Sequence, residues 1–463
     1  MFDRKSSRAA SRYPELTSRA CEISHRRLQN VTGQGQGKPW SIECGDIPVD
    51  VAALSLIFAA IFAWGIISAR AAAISTPIFF VAVGLIMAEG LQLVHLEADP
   101  HATKIVAEIT LVWVLFADAS RVRLSALREE LGHCVRLLAV GLPLTTTLGT
   151  VAAVTILGVN PWYALLLGAA LAPTDAALGS AVMSDRRVPY RVRQTLNVES
   201  GLNDGIATPI VTFALAAITA AAGVAHESRG HALLGLVLGA LTGAVLGALG
   251  GRALRAAGRR GWSSEEFAGP AVLALSLLAY LCALLIDANG FVAAFAAGSA
   301  FGAFAGRGEE REVYYVEQTC GLASMICWLL FGALAVPTVV EDWSWGILLY
   351  AVLSLTVIRM LPVAISLIGA RMDWATVFFI GWFGPRGLAS IVFALIALED
   401  LHDVPGPIDR VVATIVLTVL LSVLFHGLTA QPLAGRYAAT HQLDPEPVDH
   451  AEPALRHLVN PSR

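Results

Sequence analysis

The sequence is poor in charged residues and has no run of strictly alternating polar and apolar residues. Only 15% of its 463 residues are charged, whereas a typical soluble domain has about 25%. The low share of charge argues against a soluble globular protein. The missing alternation argues against a membrane β-barrel, whose strands require it.

Motifs for several other kinds of chemistry are also missing. The 6 cysteines contain no CxxC pair and the 11 histidines form no metal-binding motif, which argues against zinc or haem chemistry. The phosphate-binding loops GxxxxGKS and GxxxxGKT do not occur, which argues against an ATP-driven pump. We therefore expect neither an enzyme nor a resident cofactor.

Long apolar blocks make up most of the chain. Hydrophobic residues account for 56% of the sequence, and they cluster in blocks of roughly 18 to 25, enough for a helix to cross about 30 Å of hydrocarbon. Because only helices and closed barrels satisfy the backbone in lipid, we predict an all-α membrane protein. About thirteen spans are predicted, near residues 49–69, 72–90, 103–120, 134–158, 161–183, 194–222, 231–256, 268–287, 289–306, 313–336, 344–370, 374–399 and 408–432.

These spans are predicted to form one transmembrane domain of residues 48–433. A polar N-terminal tail of residues 1–47 precedes it, and a short polar C-terminal tail of residues 434–463 follows it. The N-terminal tail contains no apolar run, so we do not interpret it as a secretory signal peptide.

Arginine residues divide the predicted loops into two sets. Alternate loops carry them, for example Arg121, Arg186 and Arg252, whereas the other loops carry acidic residues such as Glu341 and Asp403. Loops rich in arginine and lysine stay in the cytoplasm. We therefore expect a multi-pass protein of the cell membrane, with its N-terminus outside and its C-terminus in the cytoplasm.

Polar residues inside the predicted spans are the strongest indication of function. A charge at the centre of a span costs about 2.5 to 3.5 kcal/mol on insertion scales, so such residues are functional candidates. The fifth span contains Pro173, Thr174 and Asp175. Proline removes a helical hydrogen bond, and an unwound segment would free carbonyl groups beside a carboxylate, which is how transporters build cation sites at mid-membrane. The alternative is a plain proline kink.

The sixth span carries polar side chains at a regular spacing. Ser200, Asp204 and Thr208 recur every four residues and share one helix face, with Glu199 and Asn203 on an adjoining stripe. Their carboxylate, hydroxyl and amide oxygens are the ligands that hard cations prefer. A carboxylate that binds either a cation or a proton is the minimal chemistry of an exchanger. The alternative is a polar network that only joins helices.

The twelfth span is interrupted by the sequence Gly384-Pro385-Arg386-Gly387. The fifth and twelfth spans hold matching places in two triplets of opposite orientation, spans four to six and spans eleven to thirteen. Paired interrupted helices of this kind indicate an inverted-repeat transporter with its site between them. We expect Arg386 to offset the negative ends of the half-helices, together with Asp118 of the third span. The alternative is a kinked helix whose arginine reaches an aqueous vestibule.

Arg359 lies in the middle of the eleventh span and needs a carboxylate partner. We expect that partner to be Glu199. Glu199 would then stay charged and structural, which leaves Asp204 as the group that titrates. Asp287 and Glu317 lie near span ends, and we expect both to be structural.

These motifs resemble the NhaP-type members of the monovalent cation:proton antiporters. The stretches that carry the resemblance are Thr174-Asp175, Val188 to Arg193, Val198 to Gly205, Asn289 to Gly298, Arg359, and Gly381 to Gly387. Many relatives have proline directly after the first aspartate, whereas here Pro173 precedes Thr174.

The resemblance implies a homodimer of thirteen-helix chains, each with a six-helix core in which two unwound helices cross and which moves like an elevator. It implies that Asp204 binds the cation or the proton. The residues implied to support the ion are Asp175, Thr174, Ser200 and Glu199, with Asn203 in the neighbouring position. The pair Asn203-Asp204, in place of two aspartates, implies electroneutral one-for-one exchange.

We therefore predict a secondary antiporter that exchanges Na⁺, Li⁺ or K⁺ for H⁺ across the lipid bilayer, with no nucleic-acid partner. Cation-coupled symport of a small organic solute on a related fold is the alternative, and it would require a larger pocket with aromatic or hydrogen-bonding groups. A channel is a third reading, but no filter-like segment repeats in the sequence.

Overall fold

The computed structural model describes residues 49–68, 70, 75–90, 100–121, 127–223, 229–305, 309–336, 339 and 342–440. The predicted N-terminal tail and residues 441–463 of the predicted C-terminal tail lie outside the described residues. Glu341, one of the acidic loop positions named above, also lies outside them.

All regular secondary structure in the described residues is helical. The first eight helices are α1 (Val49–Ile67), α2 (Thr76–Leu85), α3 (Pro100–Arg121), α4 (Leu127–Arg136), α5 (Leu142–Ala152), α6 (Pro161–Ala170), α7 (Ala176–Met183) and α8 (Tyr190–Ala221). The others are α9 (Arg229–Arg259), α10 (Glu265–Leu284), α11 (Gly290–Ala305), α12 (Glu309–Leu330), α13 (Trp345–Leu355), α14 (Val357–Ser366), α15 (Trp374–Trp382), α16 (Leu388–Asp400) and α17 (Ile408–Thr440). Wider π-helical turns follow α2 (Ile86–Gly90), α4 (Leu137–Gly141), α5 (Ala153–Leu157) and α12 (Phe331–Ala335).

The helices agree with the predicted spans. Each predicted span contains at least one described helix. Seven helical stretches among the described residues are long and apolar enough to cross a membrane by length and composition. The all-α membrane class is therefore confirmed, whereas the count of thirteen crossings stays a prediction.

Helices α9 and α11 pack against each other through small residues. Three glycines of α9 lie directly against backbone carbonyls along α11, joining Gly239 to Asn289, Gly243 to Ala293 and Gly247 to Ala297. A side chain at any of these glycines would overlap the carbonyl that it faces. Small residues allow helix backbones to approach closely in membranes, where dispersion contacts replace the hydrophobic effect between helices.

Helix α3 contacts two separate sets of helices. It packs against α11 and α12, and Gly298 and Gly302 of α11 lie against the carbonyls of Phe116 and Ser120 in α3. Helix α3 also contacts α8 and α16. These two belong to the group α4 to α8 and α13 to α17, which contains both interrupted helices.

The helix limits differ from the predicted spans at several ends, and two differences stand out. The eleventh span is divided at Thr356, whose φ of −111° and ψ of −94° separate α13 from α14. The hydroxyl of Thr356 donates to the carbonyl of Val352 at 2.7 Å, and side chains that compete for a helical carbonyl bend helices. The last helix ends at Thr440 rather than at residue 432, so its final turns extend into the predicted tail.

Candidate functional site

Both interrupted helices break where the sequence predicts it. The first break, Leu171 to Asp175, separates α6 from α7, and the second break, Phe383 to Gly387, separates α15 from α16. Pro173 and Pro385 lie inside these breaks, and neither has an N–H group to continue a helix. The two predicted interruptions are therefore confirmed.

Hydrogen bonds of Asp175 join the two breaks. Its N–H donates to the carbonyl of Pro385 at 2.8 Å. One of its carboxylate oxygens accepts from the N–H of Leu388 at 2.7 Å, and the other accepts from the N–H of Leu178 at 3.0 Å. Those N–H groups lie in the first turns of α16 and α7, where the helix dipole favours negative charge. A single carboxylate thus caps two half-helices.

Arg386 provides the opposite charge at another half-helix end. Its side chain is fully buried and donates to the carbonyls of Ala172 at 2.8 Å and Pro173 at 3.0 Å. These carbonyls follow the C-terminus of α6, where the helix dipole favours positive charge. The predicted contact of Arg386 with a negative half-helix end is present. Asp118, predicted to assist it, instead lines the cavity described below.

The predicted ion pair between Arg359 and Glu199 is present. Two guanidinium nitrogens of Arg359 lie 2.6 and 2.9 Å from the two carboxylate oxygens of Glu199, and both side chains are buried. Gly384 of the second break lies against this guanidinium, so that a side chain at Gly384 would displace it. Two-pronged arginine–carboxylate pairs are among the stronger hydrogen-bonded contacts in proteins. Because Arg359 occupies both oxygens of Glu199, this geometry favours a structural role for Glu199.

Three polar side chains meet where the first break passes α8. The hydroxyls of Thr174 and Ser200 lie 2.9 Å apart, and the amide nitrogen of Asn203 donates to the hydroxyl of Thr174 at 2.7 Å. All three side chains are buried. The structure thus brings Thr174 of the fifth span together with Ser200 and Asn203 of the sixth. Thr208 lies outside this cluster, and its hydroxyl donates to the carbonyl of Asp204 in its own helix.

Asp204 follows this cluster on α8 and is 7% exposed. Its Oδ1 atom is buried and has no hydrogen-bond partner among the described residues. The side-chain oxygen of Asn203 is in the same condition. A buried oxygen without a donor is costly unless it binds something, and a cation or a proton would satisfy it.

A cavity of about 600 Å³ leads to these residues. The side chains of Asp118, Asp175 and Asp204 line it, and the lining continues to Tyr190 at the start of α8. Asp204 lies 14 residues after Tyr190, roughly 21 Å along the helix at about 1.5 Å per residue. The cavity therefore extends from one end of the helices to their middle.

Glu317 of α12 and Arg121 at the end of α3 form an ion pair on the wall of this cavity. The prediction placed Glu317 near a span end and gave it no part in the site. Sequence position alone could not show that α12 turns this side chain toward the cavity. Asp287 lies in the turn before α11 with a φ of 54°, a location that fits its expected structural role.

Two buried side chains of α17 also reach the second break, and the sequence analysis missed both. Ser422 accepts a hydrogen bond from the N–H of Arg386 at 2.7 Å, and a ring nitrogen of His426 lies 2.9 Å from the carbonyl of Trp382. A histidine carries no formal charge at pH 7, so a ranking of span residues by formal charge omits it. Counting every ionisable residue within a span would have found His426.

The match to a known family extends over most of the chain. Residues 56–436 match the family model described as "Sodium/hydrogen exchanger, transmembrane". The chain belongs to the sodium/hydrogen exchanger family. This membership confirms the predicted family and the predicted multi-pass membrane location, and it supports the prediction of a transporter rather than an enzyme.

Two curated relatives are named as antiporters of different cations. The chain is 27% identical over 342 residues to the K⁺/H⁺ antiporter NhaP of Alkalimonas amylolytica, an alignment covering 73% of this chain and 58% of that protein. It is 29% identical over 339 residues to the Na⁺/H⁺ antiporter 2 of Zygosaccharomyces rouxii, covering 61% of this chain and 39% of that protein. The chain thus spans less than two thirds of the length of these curated relatives.

A solved structure shows the same fold. The sodium proton antiporter MjNhaP1 from Methanocaldococcus jannaschii, in its structure at pH 8, superposes with a TM-score of 0.71 at 21% sequence identity. The superposition covers 84% of this chain and 98% of that chain. The predicted antiporter fold is therefore confirmed.

Proposed function

We propose that this chain exchanges a monovalent cation (Na⁺, K⁺ or Li⁺) for H⁺ across the cell membrane. The observation that carries the proposal is Asp204, buried halfway along α8 at the inner end of the cavity, with an oxygen that has no donor among the described residues. The printed names of the relatives, K⁺/H⁺ antiporter and Na⁺/H⁺ antiporter, support it.

Asp204 takes the central role because its neighbours are engaged elsewhere. Each carboxylate oxygen of Asp175 accepts a backbone N–H, and both oxygens of Glu199 contact Arg359. Asp204 therefore binds the cation and the proton alternately. Oxygens of Asp175, Thr174, Ser200 and Asn203 would complete the hard-ligand set that such a cation prefers.

A single exchanging carboxylate also sets the stoichiometry. One cation and one proton neutralise the same negative charge of Asp204, so the loaded site has the same net charge in both directions. Arg359 keeps Glu199 from acting as a second exchanging carboxylate. Exchange is then one-for-one and does not respond to the membrane potential.

We infer the side of the membrane that the site faces from the lining of the cavity. The lining reaches Arg121 and Tyr190, at the ends of helices whose arginine-rich loops are predicted to lie in the cytoplasm. The described conformation is then the inward-facing one, with the N-terminus of the protein outside and the C-terminus in the cytoplasm. The group α4 to α8 and α13 to α17 would move past α3 to expose Asp204 on the other side, within a homodimer.

The test is ΔpH relaxation in proteoliposomes after addition of Na⁺, Li⁺ or K⁺, with the membrane potential clamped. We expect cation-dependent relaxation in the wild type and none in Asp204→Asn, because an amide neither releases a proton nor neutralises a cation. Asp287→Asn makes the same chemical change in a turn outside the cavity and should retain exchange. Exchange that persists in Asp204→Asn would exclude Asp204 as the exchanging group.

Symport of an organic solute is the competing function, since a cavity of about 600 Å³ has the size of a small-molecule pocket. The names of the relatives favour exchange of inorganic cations. Uptake of solutes driven by a Na⁺ gradient, measured in the same vesicles, separates the two functions. Cation-driven solute uptake without cation-dependent proton movement would replace antiport by symport.

A further inference from the structure

One face of α17 contacts the end of α15 through polar side chains. Ser422, His426 and Thr429 are spaced by four and three residues and so lie on the same helix face. The hydroxyl of Thr429 accepts from the indole N–H of Trp382 at 3.0 Å, and the centroid of the His426 ring lies 5.1 Å from that of Trp382. Ser422 and His426 are buried in this contact. Helix α17 therefore holds the segment where α15 unwinds.

The second break begins with a tight turn that His426 contacts directly. The N–H of Gly384 donates to the carbonyl of Trp382 at 2.8 Å around Phe383, whose φ of −81° and ψ of 52° are those of an inverse γ-turn. The same carbonyl lies 2.9 Å from Nε2 of His426. A carbonyl oxygen only accepts hydrogen bonds, so Nε2 must carry a proton and donate.

The other ring nitrogen of His426 leads to the far end of the break. Nδ1 lies 3.2 Å from the hydroxyl of Ser422 and 2.9 Å from its carbonyl. That hydroxyl already accepts from the N–H of Arg386 and is free to donate to Nδ1 of a neutral ring. A ring protonated on both nitrogens would donate to the carbonyl instead. Nε2 is a donor to Trp382 in either case, so the contact depends on a donor at that position.

The segment held in this way positions Asp175. The carbonyl of Pro385, inside the second break, accepts from the N–H of Asp175. The N–H of Leu388, directly after the break, donates to the Asp175 carboxylate. The hydrogen bonds of α17 to Trp382 and Arg386 hold the chain on either side of Pro385. A shift of the segment would therefore move the Asp175 carboxylate, which shares the cavity with Asp204.

We propose that His426 and Ser422 are positioning residues for the cation site, which they adjust by fixing the second break rather than by touching the ion. The proposal rests on the proposed function for its transport readout and on the hydrogen bonds alone for its structural readout. Removing either anchor leaves Asp204 in place and loosens Asp175. The apparent affinity for the cation should fall more than the maximum rate.

The experiment compares four full-length variants in proteoliposomes and in detergent. His426→Leu removes the ring donors and keeps an apolar bulk, and Ser422→Ala removes the hydroxyl. His426→Gln places an amide donor near the position of Nε2. Thr418→Val is the matched control, because Thr418 is a buried hydroxyl residue one turn before Ser422 that bonds the carbonyl of Thr414 in its own helix.

The transport readout is the KM for the cation and the maximum rate, normalised to reconstituted protein. We expect His426→Leu and Ser422→Ala to raise the KM about threefold to tenfold, the range expected when one hydrogen bond of about 0.5 to 1.5 kcal/mol is lost. His426→Gln should restore most of the affinity, and Thr418→Val should match the wild type. A merely structural role would lower the maximum rate of His426→Leu and Ser422→Ala and leave their KM unchanged.

The structural readout is amide hydrogen exchange of peptides covering the second break, which requires no transport. We expect exchange about fivefold faster or more in His426→Leu and Ser422→Ala, because a lost hydrogen bond favours local opening. Unchanged amide hydrogen exchange in both variants would overturn the proposal. Faster exchange with an unchanged KM would also overturn it, since the break would then not govern the site. A wild type that moves no cation refutes the proposed function, and the hydrogen-exchange result still decides whether the anchors hold the break.

Discussion

Gly387 lies so close to the carboxylate of Asp175 that a methyl group at this position would overlap it. The restriction is one of space rather than of backbone conformation. The adjacent residue, Leu388, donates its N–H to the same carboxylate. The second break thus approaches Asp175 with its bare backbone, and it can do so only because residue 387 has no side chain.

The variant Gly387→Ala should lose exchange while it still folds. The added methyl group pushes Asp175 away from the first turns of α7 and α16, and misplacing a binding group by about 1 Å lowers activity on the order of 10- to 100-fold. Transport in proteoliposomes measures the loss. Gly65→Ala is the control, since a side chain there meets no atom within 4 Å. Wild-type exchange in Gly387→Ala would show that Asp175 has no part in the cycle.

Removing one member of the Glu199–Arg359 pair should destabilise the protein more than removing both. Glu199→Gln leaves a buried guanidinium without its counter-charge, and we expect a loss of about 3 to 5 kcal/mol in the free energy of unfolding. The double variant Glu199→Gln with Arg359→Met should lose less than either single variant, because no buried charge is then left without its partner. Unfolding curves in detergent provide the three values, and additive losses would mean that the pair does not act as a unit.

Lys104 of α3 and Asp400 of α16 form an ion pair at 2.5 Å, at the opposite end of α3 from Arg121. If the group α4 to α8 and α13 to α17 moves past α3, this pair must separate. In a chain without its 6 native cysteines, Lys104→Cys with Asp400→Cys, linked by a short reducible thiol reagent, should stop exchange. Reduction should restore it, and either cysteine alone should be insensitive to the reagent. Undiminished exchange after complete cross-linking would mean that these two ends stay together throughout the cycle.

Asp185, in the loop between α7 and α8, supplies a pH-dependent contribution to stability. The hydrogen bond from the side chain of Arg187 lowers the pKa of Asp185 below its ordinary value. A lowered folded-state pKa stabilises the fold above the unfolded pKa of about 3.9, and the contribution disappears as the pH falls through the folded pKa. The free energy of unfolding of the wild type should therefore be slightly larger than that of Asp185→Asn at pH 7, and this difference should disappear below about pH 4. A difference that stays constant on acidification would contradict this origin.

The two breaks and the buried ion pair could be predicted because each follows from local chemistry. Proline beside an aspartate in an apolar span and the sequence Gly384 to Gly387 both oppose a regular helix. A buried arginine requires a carboxylate, and Glu199 was the expected partner of Arg359. The two breaks and the need of Arg359 for a partner do not depend on how distant helices are placed, whereas the choice of Glu199 as that partner was a hypothesis about which helices meet.

The remaining features depend on that placement. Asp118 and Glu317 line the cavity because α3 and α12 pack beside the helices of the site. The spacing of residues along one helix does not show which other helices lie next to it. The division at Thr356 arises where a hydroxyl competes for a carbonyl, yet other threonines make the same bond within continuous helices, as Thr418 does. His426 matters through the carbonyl that it meets, which the sequence does not reveal.

The glycine contacts of α9 with α11 fix the register of these two helices. A displacement of one, two or three residues would drive Ala240, Leu241 or Thr242, respectively, against a carbonyl that now faces Gly239. Only a jump of four residues, about 6 Å, would find matching gaps again. Because α11 meets the carbonyls of α3 through glycines in the same way, we expect these three helices to stay together as one rigid unit. In the proposed transport cycle, sliding would then occur on the opposite side of α3, along the seam that contains the cavity.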